Sequence, residues 1–192
     1  MKDKVKSELS TPLPVAVQRA SNDIKWAGRV GFWVQLVLGV ISTVTVLFAS
    51  PTLLESNVTS SQGSGFGIFC AVCGLITLGI GIYFSVRYLG IAKKLKNTNP
   101  GLRPNKSDTI KVIRMGLLVN LIGMALTIIG AEAIVGIVLA KSLARPQLAL
   151  GSDPKEFVNS IDLLIVQANT NTIAAHFAGI VSSLLLLNRI TK

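Results

Sequence analysis

Charge is the first thing this sequence has little of. Charged residues make up 15% of its 192 positions, where a soluble domain carries about a quarter, so a water-facing shell is excluded. Cysteine occurs twice, as Cys70 and Cys73, both inside one apolar run, which excludes a disulfide framework. Acidic residues number 9 against 19 basic ones, for a net charge of +10. In a soluble protein that balance would suggest nucleic acid. Here the basic residues border apolar spans, so they read as topology signals facing anionic headgroups, and no nucleic-acid partner is expected. The first 29 residues contain neither an apolar core with a small-residue cleavage site nor a Ser/Arg-rich run, so no signal or transit peptide is expected. There is no Walker motif, no Gly-x-Ser-x-Gly, no His-Glu-x-x-His and no dinucleotide fingerprint. Nothing assembles an acid, a base and a nucleophile, so no enzyme and no resident cofactor is expected.

What is present is apolar. Half of the residues are hydrophobic and the mean hydropathy is +0.59. The pattern predicts an all-α polytopic membrane protein with four spans, at about 30–49, 66–89, 114–141 and 160–187. Residues 1–12 read as a flexible polar terminus, and 13–192 as a single membrane domain. Across 13–31, Val17, Ala20, Ile24, Ala27 and Gly31 recur at helical spacing beside Arg19, Lys25 and Arg29. That predicts an amphipathic helix on the membrane surface, anchored by Trp26 and leading into the first span. Residues 50–65 and 142–159, each broken by proline and glycine, read as loops. Lys and Arg fall 16 on the two termini and the central connector, against 3 around the second loop and none in the first. Both termini are therefore expected in the cytoplasm, of a plasma (inner) or thylakoid membrane.

The third span carries its small and polar residues on one stripe: Gly116, Asn120, Gly123, Thr127 and Gly130. The second repeats the pattern with Gly67, Gly74 and Gly81. Such seams let neighbouring membrane helices approach closely. Glu132, the one charge between Arg114 and Lys141, falls on the opposite side of its helix. The third span is thus expected to have two protein-facing sides and a central position.

A carboxylate at this depth costs at least about 2.5–3.5 kcal/mol, so it must be paired, protonated or wetted. Gln167, Asn169 and Asn171 on the fourth span lie at a comparable depth, and a hydrogen-bonded cluster with Glu132 is expected. Such a cluster serves either as a cation or proton site or as a bond between helices. His176, the only histidine, could bind a transition metal but lacks a second imidazole or close carboxylate, so a bond between helices is favoured. Cys70 and Cys73 form a CxxC whose thiols could hold a soft metal. Without a strand before the helix or a completing ligand set, packing residues are the favoured reading.

With the spans placed, the sequence resembles a known family. Gly31-Phe32-Trp33-Val34-Gln35-Leu36, Val119-Asn120-Leu121-Ile122-Gly123-Met124, and above all 163–187 (LLIVQANTNTIAAHFAGIVSSLLLL) are similar to the chloroplast inner-envelope family. That family is known both as the permease in chloroplasts and as a subunit of the inner-envelope protein translocon, and it has cyanobacterial members. With no transit peptide, the chain resembles the cyanobacterial type. The resemblance implies a permease-like role in iron or other metal-cation homeostasis, with protein translocation or a non-transporting scaffold as the alternative. By position, the matching polar residues are Gln35, Asn120, Gln167, Asn169, Asn171 and His176. In the transport version Glu132, Asn169, Asn171 and His176 would ligate a passing iron(II) or other divalent cation at mid-membrane. Four helices make a narrow path, so a homo-oligomer, or contact with other membrane proteins through the glycine stripes, is expected.

Overall fold

Each apolar run folds as one long helix, because a backbone crossing hydrocarbon must satisfy its own hydrogen bonds. The computed structural model describes residues 14–55, 62–97, 99–144 and 160–191. Helix α1 is Val15–Glu55, α2 is Gln62–Leu95, α3 is Lys106–Ala144 and α4 is Ser160–Thr191. A 3-10 turn at Pro100–Leu102 lies in the α2–α3 connector. There, Arg103 Nε donates to the carbonyl of Asn97 at 2.9 Å and Gly101 N donates to Asn99 Oδ1 at 3.0 Å. All four helices are long and apolar enough to cross a membrane. The chain is an all-α, multi-pass membrane protein.

The helices close into a ring in which α1 packs on α2, α2 on α3, α3 on α4, and α4 back on α1. Helices α2 and α4 also meet across one diagonal, whereas α1 and α3 pack least against each other on the other. Large apolar side chains point outward on every helix, among them Val40, Phe48, Phe69, Ile76, Leu121, Ile129, Phe177 and Leu184. This is the lipid-facing surface. Inward lie Ser21, Gln35, Ser42, Ser85, Asn120, Thr127, Asn169, Thr172, His176 and Ser183, all buried. Lipid tails are as apolar as leucine, so burying leucine does not drive such a bundle together; close packing and interhelical hydrogen bonds do. At the connector end Ile24, Ala27, Tyr88, Ala92, Ile113 and Leu186 form an apolar plug. At the opposite end Ile134 and Ile165 pack with Val138, Ile161 and Val166, beside a 3.0 Å ion pair between Lys141 and Asp162.

Three expectations are corrected. Residues from Val15 onward form no separate surface helix, since they run without a break into the span as part of α1. The apolar stripe exists, but Ile24, Ala27 and Gly31 are buried against protein rather than headgroups. Helices α2 and α4 extend far enough to cover it, and Ser21 Oγ donates to the carbonyl of Ala92 at 2.8 Å. Trp26 does stay exposed. The first loop is shorter than 50–65, because α1 carries Pro51 within it and α2 begins at Gln62. A membrane helix tolerates proline where neighbouring groups take up the freed carbonyl. Lastly, α3 is not enclosed: Met115, Leu118, Leu121, Ile122, Ile129 and Leu139 are exposed along it. The expected flexible terminus 1–12 and most of the second loop, 145–159, lie outside the described residues.

Candidate functional site

The centre of the bundle is a knot of neutral polar groups contributed by all four helices. Gln35 on α1 donates from Nε2 to Asn120 Oδ1 on α3 at 2.7 Å, and Ser85 on α2 donates to Gln35 Oε1 at 2.9 Å. Asn120 Nδ2 donates to the carbonyl of Gly116 at 2.8 Å, one helical turn back, which fixes the orientation of the amide. On α4, His176 Nδ1 lies 3.1 Å from Asn120 Oδ1, and its Nε2 lies 3.1 Å from the carbonyl oxygen of Gly74 on α2. Both neighbours of the ring are thus acceptors. A neutral imidazole carries one N–H, so it donates to one of them at a time.

Glycine makes room for this knot. A methyl group on Gly179 would collide with the amides of both Gln35 and Asn120, and one on Gly81 would come within 2.8 Å of Asn120 Oδ1. On Gly123 it would strike the His176 ring and Thr77 Oγ1, and on Gly74 the Thr127 hydroxyl. The glycines recur every seven residues on both α2 and α3, which keeps them on one seam in the manner of a coiled coil. The two helices run antiparallel, so Gly67 meets Gly130 while Gly116 receives the Tyr88 ring. The stripes expected to join separate molecules therefore meet each other inside this one.

The polar line continues in both directions from the knot. Toward the connector, Tyr88 OH lies 3.1 Å from Ser183 Oγ and donates weakly to the carbonyl of Ile113 at 3.4 Å. Toward the other end, Ser42 and Thr172 both donate to the carbonyl of Ala168, each at 2.9 Å. Asn169 beside them is buried, and its side-chain NH₂ has no partner among the described residues.

Of the residues singled out from sequence, Gln35, Asn120 and His176 come together, and Asn169 lies further along the same interior. Glu132 does not join them. It is exposed on the outer side of α3, and among the described residues it has no hydrogen-bond or ion-pair partner. The expected cluster of Glu132 with Gln167, Asn169 and Asn171 is therefore not formed. The reason is angular: the residues of α3 that face inward are Asn120, Gly123, Thr127 and Gly130, and Glu132 lies across the helix from them. Gln167 is also exposed, and it donates to Asn171 Oδ1 on its own helix at 3.1 Å. Cys70 is buried against Gly130 and Cys73 is half-buried, both as free thiols. No three of His, Cys, Asp and Glu gather into a metal-sized group among the described residues. Sequence reasoning missed Gly179 and the Gly74 carbonyl. The signal for Gly179 was its place three residues after His176, on the same face of α4.

Four apolar helices wrapped around a hydrogen-bonded, uncharged centre define a multi-pass membrane bundle. The chain belongs to the family described as "Protein of unknown function (DUF3611)", which matches residues 14–191. It is similar to "Protein TIC 21, chloroplastic" of Arabidopsis thaliana, with 31% identity over 180 residues. That alignment covers 91% of this chain and 59% of the relative, so the chain spans about three-fifths of the relative's length. The match agrees with the resemblance to the chloroplast inner-envelope family. No solved structure matches the chain.

Proposed function

We propose that this chain is a non-transporting membrane scaffold, a subunit that helps to assemble a larger membrane complex such as a protein-translocation machine. One observation carries the reading. At the centre of the bundle Gln35, Ser85, Asn120 and His176 are engaged with one another or with a neighbouring helix's backbone, while the one carboxylate within α3's apolar run, Glu132, faces outward, where another membrane protein can reach it. A carrier needs its ligands turned toward a path, and here the ligand set expected for a cation is dispersed. The protein-translocation side of the inner-envelope family resemblance supports the same reading. The Lys/Arg distribution supports cytoplasmic termini, in a plasma or thylakoid membrane. No catalytic role is proposed, since the Ser85 hydroxyl is bonded to Gln35 and the His176 ring faces Asn120 and the Gly74 carbonyl, so the knot pairs no nucleophile with a base. The test is purification of the tagged chain from its own membranes in mild detergent. A stoichiometric membrane partner supports the reading, and its absence at every detergent tried opposes it.

A second reading, a permease in iron or other metal-cation homeostasis, is favoured by a separate observation. A line of buried polar side chains runs along the bundle axis, with His176 flanked by acceptors on both nitrogens and the Asn169 NH₂ unpartnered. In that reading the helices part along this line to pass iron(II) or a similar cation. Saturable flux of iron(II) or manganese(II) into liposomes, lost in Asn120→Ala, would support it.

A further inference from the structure

We infer that Glu132 of one protomer hydrogen-bonds the outward Gln167–Asn171 pair of a second copy of this chain. Glu132 projects among Ile128, Ile129, Val135 and Leu139, all exposed. One turn further on, Gly136 has open space where a side chain would stand. A carboxyl in such surroundings requires a polar partner, and the single chain supplies none among its described residues.

The partner groups lie at the same height on the neighbouring helix. Helices α3 and α4 are antiparallel, and Ile134 and Ile165 share one apolar cluster. Glu132 is two residues before Ile134 and Gln167 two residues after Ile165, so both lie about 3 Å from that contact, in the same direction. Copies inserted in the same orientation are held at one depth by the bilayer, so lateral association brings the two heights together. The chemistry also matches. The Gln167 to Asn171 hydrogen bond leaves donors on both amides unused. Carboxamides offer a donor and an acceptor, so they suit Glu132 whether or not it carries a proton. Contact of Glu132 with its own symmetry mate would instead press two carboxyls together, which disfavours that arrangement.

The inference rests on the scaffold reading only in treating outward polar groups as contact points. The test uses full-length chains carrying Cys70→Ala and Cys73→Ala, with two different tags, co-expressed and oxidised in the membrane. One chain carries Glu132→Cys and the other Gln167→Cys. The expected product is a disulfide-linked dimer carrying both tags, at several times the yield of either variant with itself. In a second measurement, without cross-linking, Glu132→Gln keeps the dimer while Glu132→Leu weakens association roughly tenfold, the scale of a membrane hydrogen bond. Predominant Glu132→Cys self-pairing, or unchanged association in Glu132→Leu, overturns the inference. Cross-linking only to a different protein overturns it and leaves the scaffold reading standing. No cross-link of any kind counts against both.

Discussion

Gln35 Nε2 donates to Asn120 Oδ1 at 2.7 Å across the diagonal of the bundle that joins α1 to α3, the pair of helices with least direct packing between them. The same oxygen lies 3.1 Å from the His176 ring, so one amide on α3 meets side chains of the first and fourth helices at a single level.

Because that bond spans the diagonal, its two ends should be energetically coupled. Asn120→Ala is expected to cost about 1–3 kcal/mol, since it leaves Gln35 without its acceptor. In a cycle with Gln35→Ala, the coupling is expected at about 0.6–1.7 kcal/mol, the range of interhelical hydrogen bonds in membranes. Unfolding in mixed micelles followed by circular dichroism measures both.

Glycines against the knot should not tolerate a methyl group, and open ones should. Gly179→Ala is expected to destabilise the fold by about 1–3 kcal/mol, because neither Gln35 nor Asn120 can move without breaking the bond they share. Gly90→Ala, with nothing within 4 Å, is expected to be neutral or to stabilise by up to about 1 kcal/mol through helix propensity. The midpoints of the two variants in the same unfolding assay decide it.

Gly116 and Tyr88 should show second-site rescue. A methyl on Gly116 runs into the Tyr88 hydroxyl. Gly116→Ala is therefore expected to be destabilising, and Tyr88→Phe to recover part of the loss, despite giving up the contact with Ser183. Additive losses in the double variant would mean that the two positions do not meet.

Sidedness follows from the basic connector. In a background of Cys70→Ala and Cys73→Ala, a cysteine placed at exposed Lys96 is expected to react with an impermeant maleimide only from the cytoplasmic side. A cysteine at exposed Leu143 is expected to react only from the other. Labelling of inside-out and right-side-out vesicles distinguishes this topology from its reverse.

The helices were legible in the sequence because each span is a long apolar run with basic residues or proline and glycine at its ends, and hydropathy depends on composition alone. The inward stripe of α3 was legible for a similar reason: Gly116, Asn120, Gly123 and Thr127 share one face whatever they pack against. Partner choice was not legible. Depth along an axis brought Glu132 and Gln167 to the same level, but depth says nothing about angle, and both side chains face out. The stripe over Ile24 and Ala27 was found, while its partner was misassigned, since a headgroup layer and the ends of α2 and α4 call for the same spacing of apolar residues. The role of Gly74 lay beyond reach, because it is the backbone carbonyl, not a side chain, that meets His176.

Iron(II) entry into liposomes reconstituted with the purified chain is the most direct measurement of whether the polar interior is a lock or a path. If the interior groups serve to bind helix to helix, uptake by the wild type equals that of protein-free liposomes, and His176→Ala changes nothing. Saturable wild-type uptake that His176→Ala abolishes would contradict the scaffold reading and place the path through the centre of the bundle.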